Sequence, residues 1–260
     1  MIGYNLKEIA VSDKKSKNYT LYIGIIVIMI LGFTTVLLPK ETFLTLVRED
    51  GPFENAGALL FLSTSIMFFV LFFNNSKFSS LEDRAYFSTF SRRIFFLLLG
   101  LLFFVLLGEE ISWGQRILGF ETPESIEERN IQDEFNFHNL DVFHLRSDDK
   151  VRKTGLAAMF TAKKIFVYVF LTYLFLLPLA VKYIGLFKNL AKRFYLPVPK
   201  IELGILFIID ILLFKAFKPL SDGTTGMLRG LAEVEEFNFA LILVLLPLIW
   251  LGSPFKKLSI

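Results

Sequence analysis

Long apolar runs divided by short charged stretches govern this chain. Six stand out: Tyr19–Leu38, Gly57–Phe73, Ile94–Leu107, Ile165–Val181, Ile201–Leu213 and Phe237–Leu251. A helix needs about 20 residues to cross ~30 Å of hydrocarbon at ~1.5 Å per residue. Several runs fall short, so each must draw polar flanks into the membrane. The spans then read about 19–38, 57–73, 94–117, 165–185, 201–217 and 234–252, with an outer loop at 118–164. The pattern predicts an all-α fold: one integral membrane domain over residues 1–260, a polytopic bundle of about six transmembrane helices with a long helical loop between spans 3 and 4.

Within that pattern, kinks are expected at Pro178 and Pro247, where the ring removes a helical hydrogen bond. Thr122-Pro123-Glu124 reads as the start of a short helix reaching about Arg129, and Lys150–Lys164 as a further surface helix. Glu54-Asn55-Ala56 and Glu236-Phe237-Asn238 open the second and sixth spans in a similar way. The first run follows Lys14, Lys15 and Lys17 but is longer than a signal-peptide core and ends Leu37-Leu38-Pro39-Lys40, so it reads as a retained helix.

Composition reinforces the membrane class. Of the 260 residues, 54% are hydrophobic and 31 are Phe, more than an ordinary soluble domain carries. The net charge of +3 is small and scattered, which gives no footprint for nucleic acid. The chain has no cysteine, which removes disulfides, thiolate nucleophiles and thiolate metal sites. Basic residues concentrate in alternate short loops, led by Lys182, Lys188, Lys192, Arg193 and Lys200. The positive-inside rule then places both termini in the cytoplasm, in a multi-pass protein of the cell inner membrane. Acidic residues collect on the opposite, outer side.

One segment breaks the hydrocarbon pattern at a cost. Gly108-Glu109-Glu110-Ile111-Ser112-Trp113-Gly114-Gln115-Arg116 follows Ile94–Leu107 with nothing between to end a helix. If Arg93 marks the inner interface, Glu109 sits roughly 24 Å along a core of ~30 Å. Carboxylates at such depth are expensive, so they mark a functional position by default. On a continued helix Glu109, Trp113 and Arg116 share a face. One carboxylate then pairs with Arg116 and the other stays free for a proton, a metal or a substrate. A plain structural ion pair is the competing reading.

Further on, Glu134 and His138 stand at i and i+4, a spacing that lets one helical turn offer both to a metal. His144 could add a ligand and Glu109 or Glu110 could complete an N/O site, suited to a divalent metal such as zinc. A simple Glu–His hydrogen bond is the alternative. Asp210, near the membrane midplane, is a separate candidate. Glu54, Glu233, Glu235 and Glu236 read as acids at outward helix starts, where the helix dipole favours them. Ser112 lacks the turn that a nucleophilic serine needs.

The Glu109-Glu110 pair, followed by Trp113 and Arg116, resembles the first motif of the CAAX-protease and bacteriocin-processing membrane family. That family joins a Glu-Glu-x-x-x-Arg helix to Phe-x-x-x-His and a further His motif. Here Arg116 comes two residues later, and Phe135 and His138 are spaced Phe-x-x-His. The wider pattern, including Glu121-Thr122-Pro123-Glu124 and Asn136-Phe137-His138-Asn139-Leu140, resembles a group of uncharacterised bacterial multi-pass membrane proteins. This second likeness implies a bacterial source and brings no activity.

Together these features lead to the expectation of a membrane-embedded hydrolase of a lipid or membrane peptide. Glu109, Glu110, Arg116 and Glu134 are its catalytic candidates, and Glu134, His138 and His144 its metal candidates. Arg116 would bind a substrate carboxylate or phosphate. Two rivals stand beside it: a proton-coupled carrier using Asp210 and Glu110, and a non-catalytic scaffold. The bilayer is the expected partner; the sequence sets no oligomeric state.

Overall fold

The computed structural model describes residues 6–78, 86–130, 133–143 and 159–251, with the side chains of 6–19, 75–78, 86–91 and 116 left aside. Among the described residues the chain is helical without a strand. Among the same described residues, four helical stretches are long and apolar enough to cross a membrane: Thr20–Leu37, Pro52–Asn74, Ala162–Tyr183 and Thr225–Leu251. The chain is thus a helical membrane protein. Its first membrane-length helix is α1 (Leu6–Thr34), and a short α2 (Lys40–Leu46) follows. Next come α3 (Pro52–Phe78) and α4 (Tyr86–Glu110).

The described part of the long connection after α4 holds a 3-10 turn at Ser112–Gly114, α5 (Gln115–Leu118), α6 (Glu124–Glu127) and a second 3-10 turn at Asp141–Phe143. The short helix expected at Thr122-Pro123-Glu124 is present as α6, with Pro123 as its N-cap and an end at Glu127, two residues before Arg129. The surface helix expected from Lys150 falls largely outside the described residues; a helix does begin at Ala162.

The next membrane-length stretch is α7 (Ala162–Leu171), a π-helical turn over Thr172–Leu176, and α8 (Leu177–Tyr183). Pro178 has no N–H to offer the Leu174 carbonyl, and the irregular turn sits just before it, where the sequence placed a kink. That carbonyl packs against α10 (Ile201–Phe217): a Cβ on Gly204 would lie 2.5 Å from Leu174 O. Gly204 therefore lets the two backbones touch, as small residues do between membrane helices. Between α8 and α10 lies α9 (Gly185–Phe194).

The sixth run belongs to a longer helix than expected. α11 runs from Thr225 to Leu243, and α12 (Leu245–Leu251) continues after a break at Val244. Pro247 explains the break, since it cannot donate to the Leu243 carbonyl. Because α11 starts at Thr225, Glu233, Glu235 and Glu236 lie in its middle, which overturns their assignment to a helix start. Glu54 does sit in the first turn of α3 and accepts from Asp50 N at 2.6 Å.

Two apolar clusters hold the bundle. The larger is a file of rings, Phe68, Phe96, Phe103, Phe170, Phe207, Phe239 and Trp250, contributed by α3, α4, α7, α10, α11 and α12. Phe207 and Phe239 stack at 4.5 Å, and Phe68 and Phe103 at 5.6 Å. Offset ring pairs of this kind add about 0.5–1.5 kcal/mol beyond area burial. The smaller cluster joins Phe33 and Val36 to Phe43 of α2, to Val47 just after it, and to Met227, Leu231 and Val234 of α11. Gly230 permits that approach: a Cβ there would meet Val47 Cγ2 at 2.5 Å. On the surface beside it, Lys40 Nζ holds Asp222 Oδ2 at 2.6 Å.

Candidate functional site

The end of α4 is where hydrocarbon gives way to polar structure, and the helix stops there. Its last residue is Glu110, and Ser112, Trp113 and Gly114 follow with φ of 46°, 53° and 77°. The expected continuation of the helix to Arg116 is thereby overturned. Left-handed geometry is costly for a serine and a tryptophan, so side-chain contacts must hold it. Trp113 folds back over the helix end, where only glycine fits: a Cβ on Gly108 would lie 2.9 Å from the indole ring. Its Nε1 donates to Glu109 Oε1 at 2.8 Å, and buried Ser112 donates from Oγ to Glu134 Oε2 at 2.6 Å.

Glu109 is saturated. Besides the indole, its Oε2 accepts from the backbone N–H groups of Phe137 and His138, both at 2.8 Å, and lies 3.3 Å from His138 Nδ1. Glu134 accepts also from Asn136 Nδ2 at 2.9 Å. Gln115 bridges with both ends of its amide, donating to Thr122 Oγ1 and accepting from Phe135 N, each at 2.8 Å. Asn130 donates to Asn136 O at 2.9 Å, and Asp141 N to Arg129 O at 2.7 Å. The motif residues thus knit the α4 terminus to the 130–143 segment in one polar clasp.

That segment is a series of bends rather than a helix over 133–139. The expectation that Glu134 and His138 share a helical turn is therefore wrong. Among the described residues, no group of three or more His, Asp or Glu side chains is gathered as metal ligands would be. His144 lies outside the described residues, as does the Arg116 side chain. Arg116 has its backbone in α5.

Glu110 has a different environment from its neighbour. Its Oε1 lies against α3 where Gly57 leaves room, at 3.3 Å from a Cβ built on that residue. It sits in the electrostatic field of Glu236, Glu233 and Glu54. Among the described residues nothing donates a hydrogen bond to it. The two sequence-similar segments meet here too, since Phe53 and Phe237 pack edge to face at 5.4 Å. Lys163, at the start of α7, supplies positive charge, with Nζ 2.5 Å from Glu235 Oε2 and 3.6 Å from Glu236 Oε1.

Some of these groups border a cavity of about 980 Å³ between α3, α4, α7 and α11. Glu109, Glu110, Glu134 and His138 line it together, with Lys163 and Glu236 opposite. Hydrocarbon makes up much of the remaining wall, including Phe61, Leu106, Phe166 and Phe239, and Glu49, Glu54, Arg229 and Glu233 add further charge. Asp210 is not among the lining residues. It is fully buried in α10, accepting from Asn238 Nδ2 at 2.8 Å. Comparison with protein-family models, curated proteins and solved structures returns no match.

Proposed function

We propose that the chain is a membrane-embedded hydrolase whose substrate is a lipid or a membrane-anchored peptide. The observation that carries this reading is the convergence of Glu110, Glu134 and His138 on one cavity with a polar rim and hydrocarbon walls. Binding pockets typically combine an apolar lining with a few convergent polar groups. The volume suits a large amphiphile, its chain among the phenylalanines and its scissile bond near the carboxylates. The topology belonging to this reading has six spans, with α4 and α10 completing the bundle and both termini cytoplasmic. The protein then resides in a bacterial inner membrane.

In this mechanism Glu110 takes a proton from water as the water oxygen bonds to the substrate carbonyl carbon or phosphorus. His138 returns a proton to the departing oxygen or nitrogen. Glu109 positions that ring: in the imidazolium form its Nδ1–H is directed at Glu109, and the Nε2–H that serves as the acid faces the substrate side. Glu134 holds the strained turn through Ser112, and Arg116 is assigned a substrate carboxylate or phosphate. In a metal-assisted version Glu134, His138 and His144 would hold a divalent ion such as zinc, and metal content measured in wild type and His138→Ala decides it. The likeness to the CAAX-protease motif agrees with a hydrolytic role for the acid pair.

The test is incubation of purified protein in proteoliposomes with bilayer lipids and membrane peptides, reading products by mass spectrometry. Wild type should release a product and Glu110→Gln at least about a hundredfold less, as loss of a general base requires. Equal release by both proteins overturns the reading. The clasp supports a scaffold as the second reading, since most of its hydrogen bonds would serve that role alone. A protein that releases no product from any substrate tested, while Glu109→Gln destabilises it, selects the scaffold.

A further inference from the structure

The segment 182–200 was read in sequence only as a basic loop, yet its middle is a ten-residue helix, α9. Apolar residues occupy positions 186, 187, 190, 191 and 194, which form one stripe at helical spacing. The other face carries Lys188, Asn189, Lys192 and Arg193. Ala191, in the stripe, is buried at 1% exposure, but Leu186 is 64% exposed, and Phe187, Leu190 and Phe194 are exposed too. The stripe is therefore only partly covered by the protein.

Three features decide what covers the rest. First, the segment carries Lys182, Lys188, Lys192, Arg193 and Lys200 and no acidic residue, so the occupant is anionic. Second, exposed apolar side chains also precede α9, at Leu176 just before α8 and at Tyr183 and Ile184 leading into α9. α8 ends a stretch of membrane-spanning length, so that surface faces lipid. Third, α9 is set off from the α8 axis and fixed there. Ile184 leaves helical geometry (φ −113°, ψ 113°), and Tyr195 closes α9 in left-handed geometry. Arg92 of α4 lies 5.9 Å from the Tyr195 ring centre, and Tyr173 Oη donates to Pro197 O at 2.9 Å. The long cations also lie along rings, with Lys182 Nζ 5.0 Å from Tyr183 and the Arg193 guanidinium 5.8 Å from Phe194. Such side chains keep apolar stems in the interface and charges at headgroup level.

We propose that α9 is an interfacial helix that docks into a layer of anionic phospholipid headgroups, with Leu186, Phe187, Leu190 and Phe194 below the phosphates and Lys188, Lys192 and Arg193 among them. The site is separate from the cavity and does not depend on hydrolysis there.

The experiment measures melting of the purified full chain in neutral detergent with added phosphatidylglycerol, phosphatidylcholine or inorganic phosphate. Phosphatidylglycerol should raise the melting temperature of wild type, and the other two should not. The triple variant K188Q/K192Q/R193Q should lose most of that rise, while K188R/K192R/R193K keeps it. Equal shifts from both lipids, a full rise in the neutralised variant, or a rise with phosphate alone would overturn the proposal. Because the chain has no native cysteine, Phe187→Cys and Lys192→Cys can each carry a fluorophore in vesicles containing brominated lipid. Strong quenching at 187 and weak quenching at 192 is expected. Absent or equal quenching at the two positions contradicts the docking even if the charge variants fail to fold.

Discussion

Glu109 and Glu110 are adjacent in sequence and end the same helix, yet they face opposite circumstances. Glu109 receives the Trp113 indole, two backbone N–H groups and the His138 imidazole edge. Glu110 receives no hydrogen bond among the described residues and stands near three other carboxylates. A carboxylate whose lone pairs are all engaged is part of the architecture. One that is held in like-charged company beside a cavity costs stability and needs a use. The clasp and the acidic wall are thus two products of one motif, the first building the rim of the cavity and the second facing into it.

This contrast is sharpened by substitution. The largest effect is expected for Glu109→Ala, which strands the Phe137 and His138 N–H groups and the Trp113 indole. At about 1–3 kcal/mol per unsatisfied group, partly recovered by water, a loss of about 3–5 kcal/mol should appear in detergent unfolding. A loss under about 1 kcal/mol would show that the clasp does not depend on this carboxylate.

Next is Gly204→Ala, whose Cβ would press on the Leu174 carbonyl. Backbone cannot yield as a side chain can, so about 1–3 kcal/mol of destabilisation is expected by the same measurement. Gly119→Ala, with open space around its Cβ but a φ of 68°, should cost about 1 kcal/mol from strain alone. The difference between the two separates packing from backbone geometry.

The smallest effect belongs to the exposed Lys40–Asp222 pair. Lys40, together with hydrogen bonds from Thr224, holds the Asp222 carboxyl down to about 2. The folded value lies below the unfolded one, ~3.9. Its contribution is therefore present above about pH 4 and is lost as pH falls through about 2. Asp222→Asn should narrow the melting difference between pH 5 and pH 2 slightly, and high salt should shrink the effect further. An unchanged difference would remove Asp222 from the acid response.

How far the sequence foretold this molecule depends on the kind of signal. Apolar runs announce helices because burial of hydrocarbon is a summed, local quantity, and Pro178 and Pro247 announce breaks because a missing N–H is local too. The cost of Glu109 and Glu110 was also visible, and the division of labour between a paired and an unpaired carboxylate was expected. The identity of the partners was not. Ser112 and Trp113 adopt left-handed backbone without the glycine or asparagine that would signal it, since Glu134, Glu109 and Gly108 enforce the turn from a distance. The early start of α11 was hidden because Thr225–Glu236 mixes charges with apolar residues and lacks a continuous run. Glu134 and His138 had helical spacing, but the segment is held in bends by Asn130, Gln115 and Glu109. The α9 stripe is legible in the spacing of Leu186, Phe187, Leu190 and Phe194, but the lysines between them give the segment the composition of a basic loop.

The most direct measurement compares Glu109→Gln with Glu110→Gln in the same preparation, recording melting temperature and product release from proteoliposomes. The account predicts that the first lowers melting and loses turnover with it, while the second melts at or above the wild-type temperature and releases almost no product. A Glu110→Gln protein as active as wild type, or one destabilised as strongly as Glu109→Gln, would contradict the assignment of Glu110 to the cavity's chemistry.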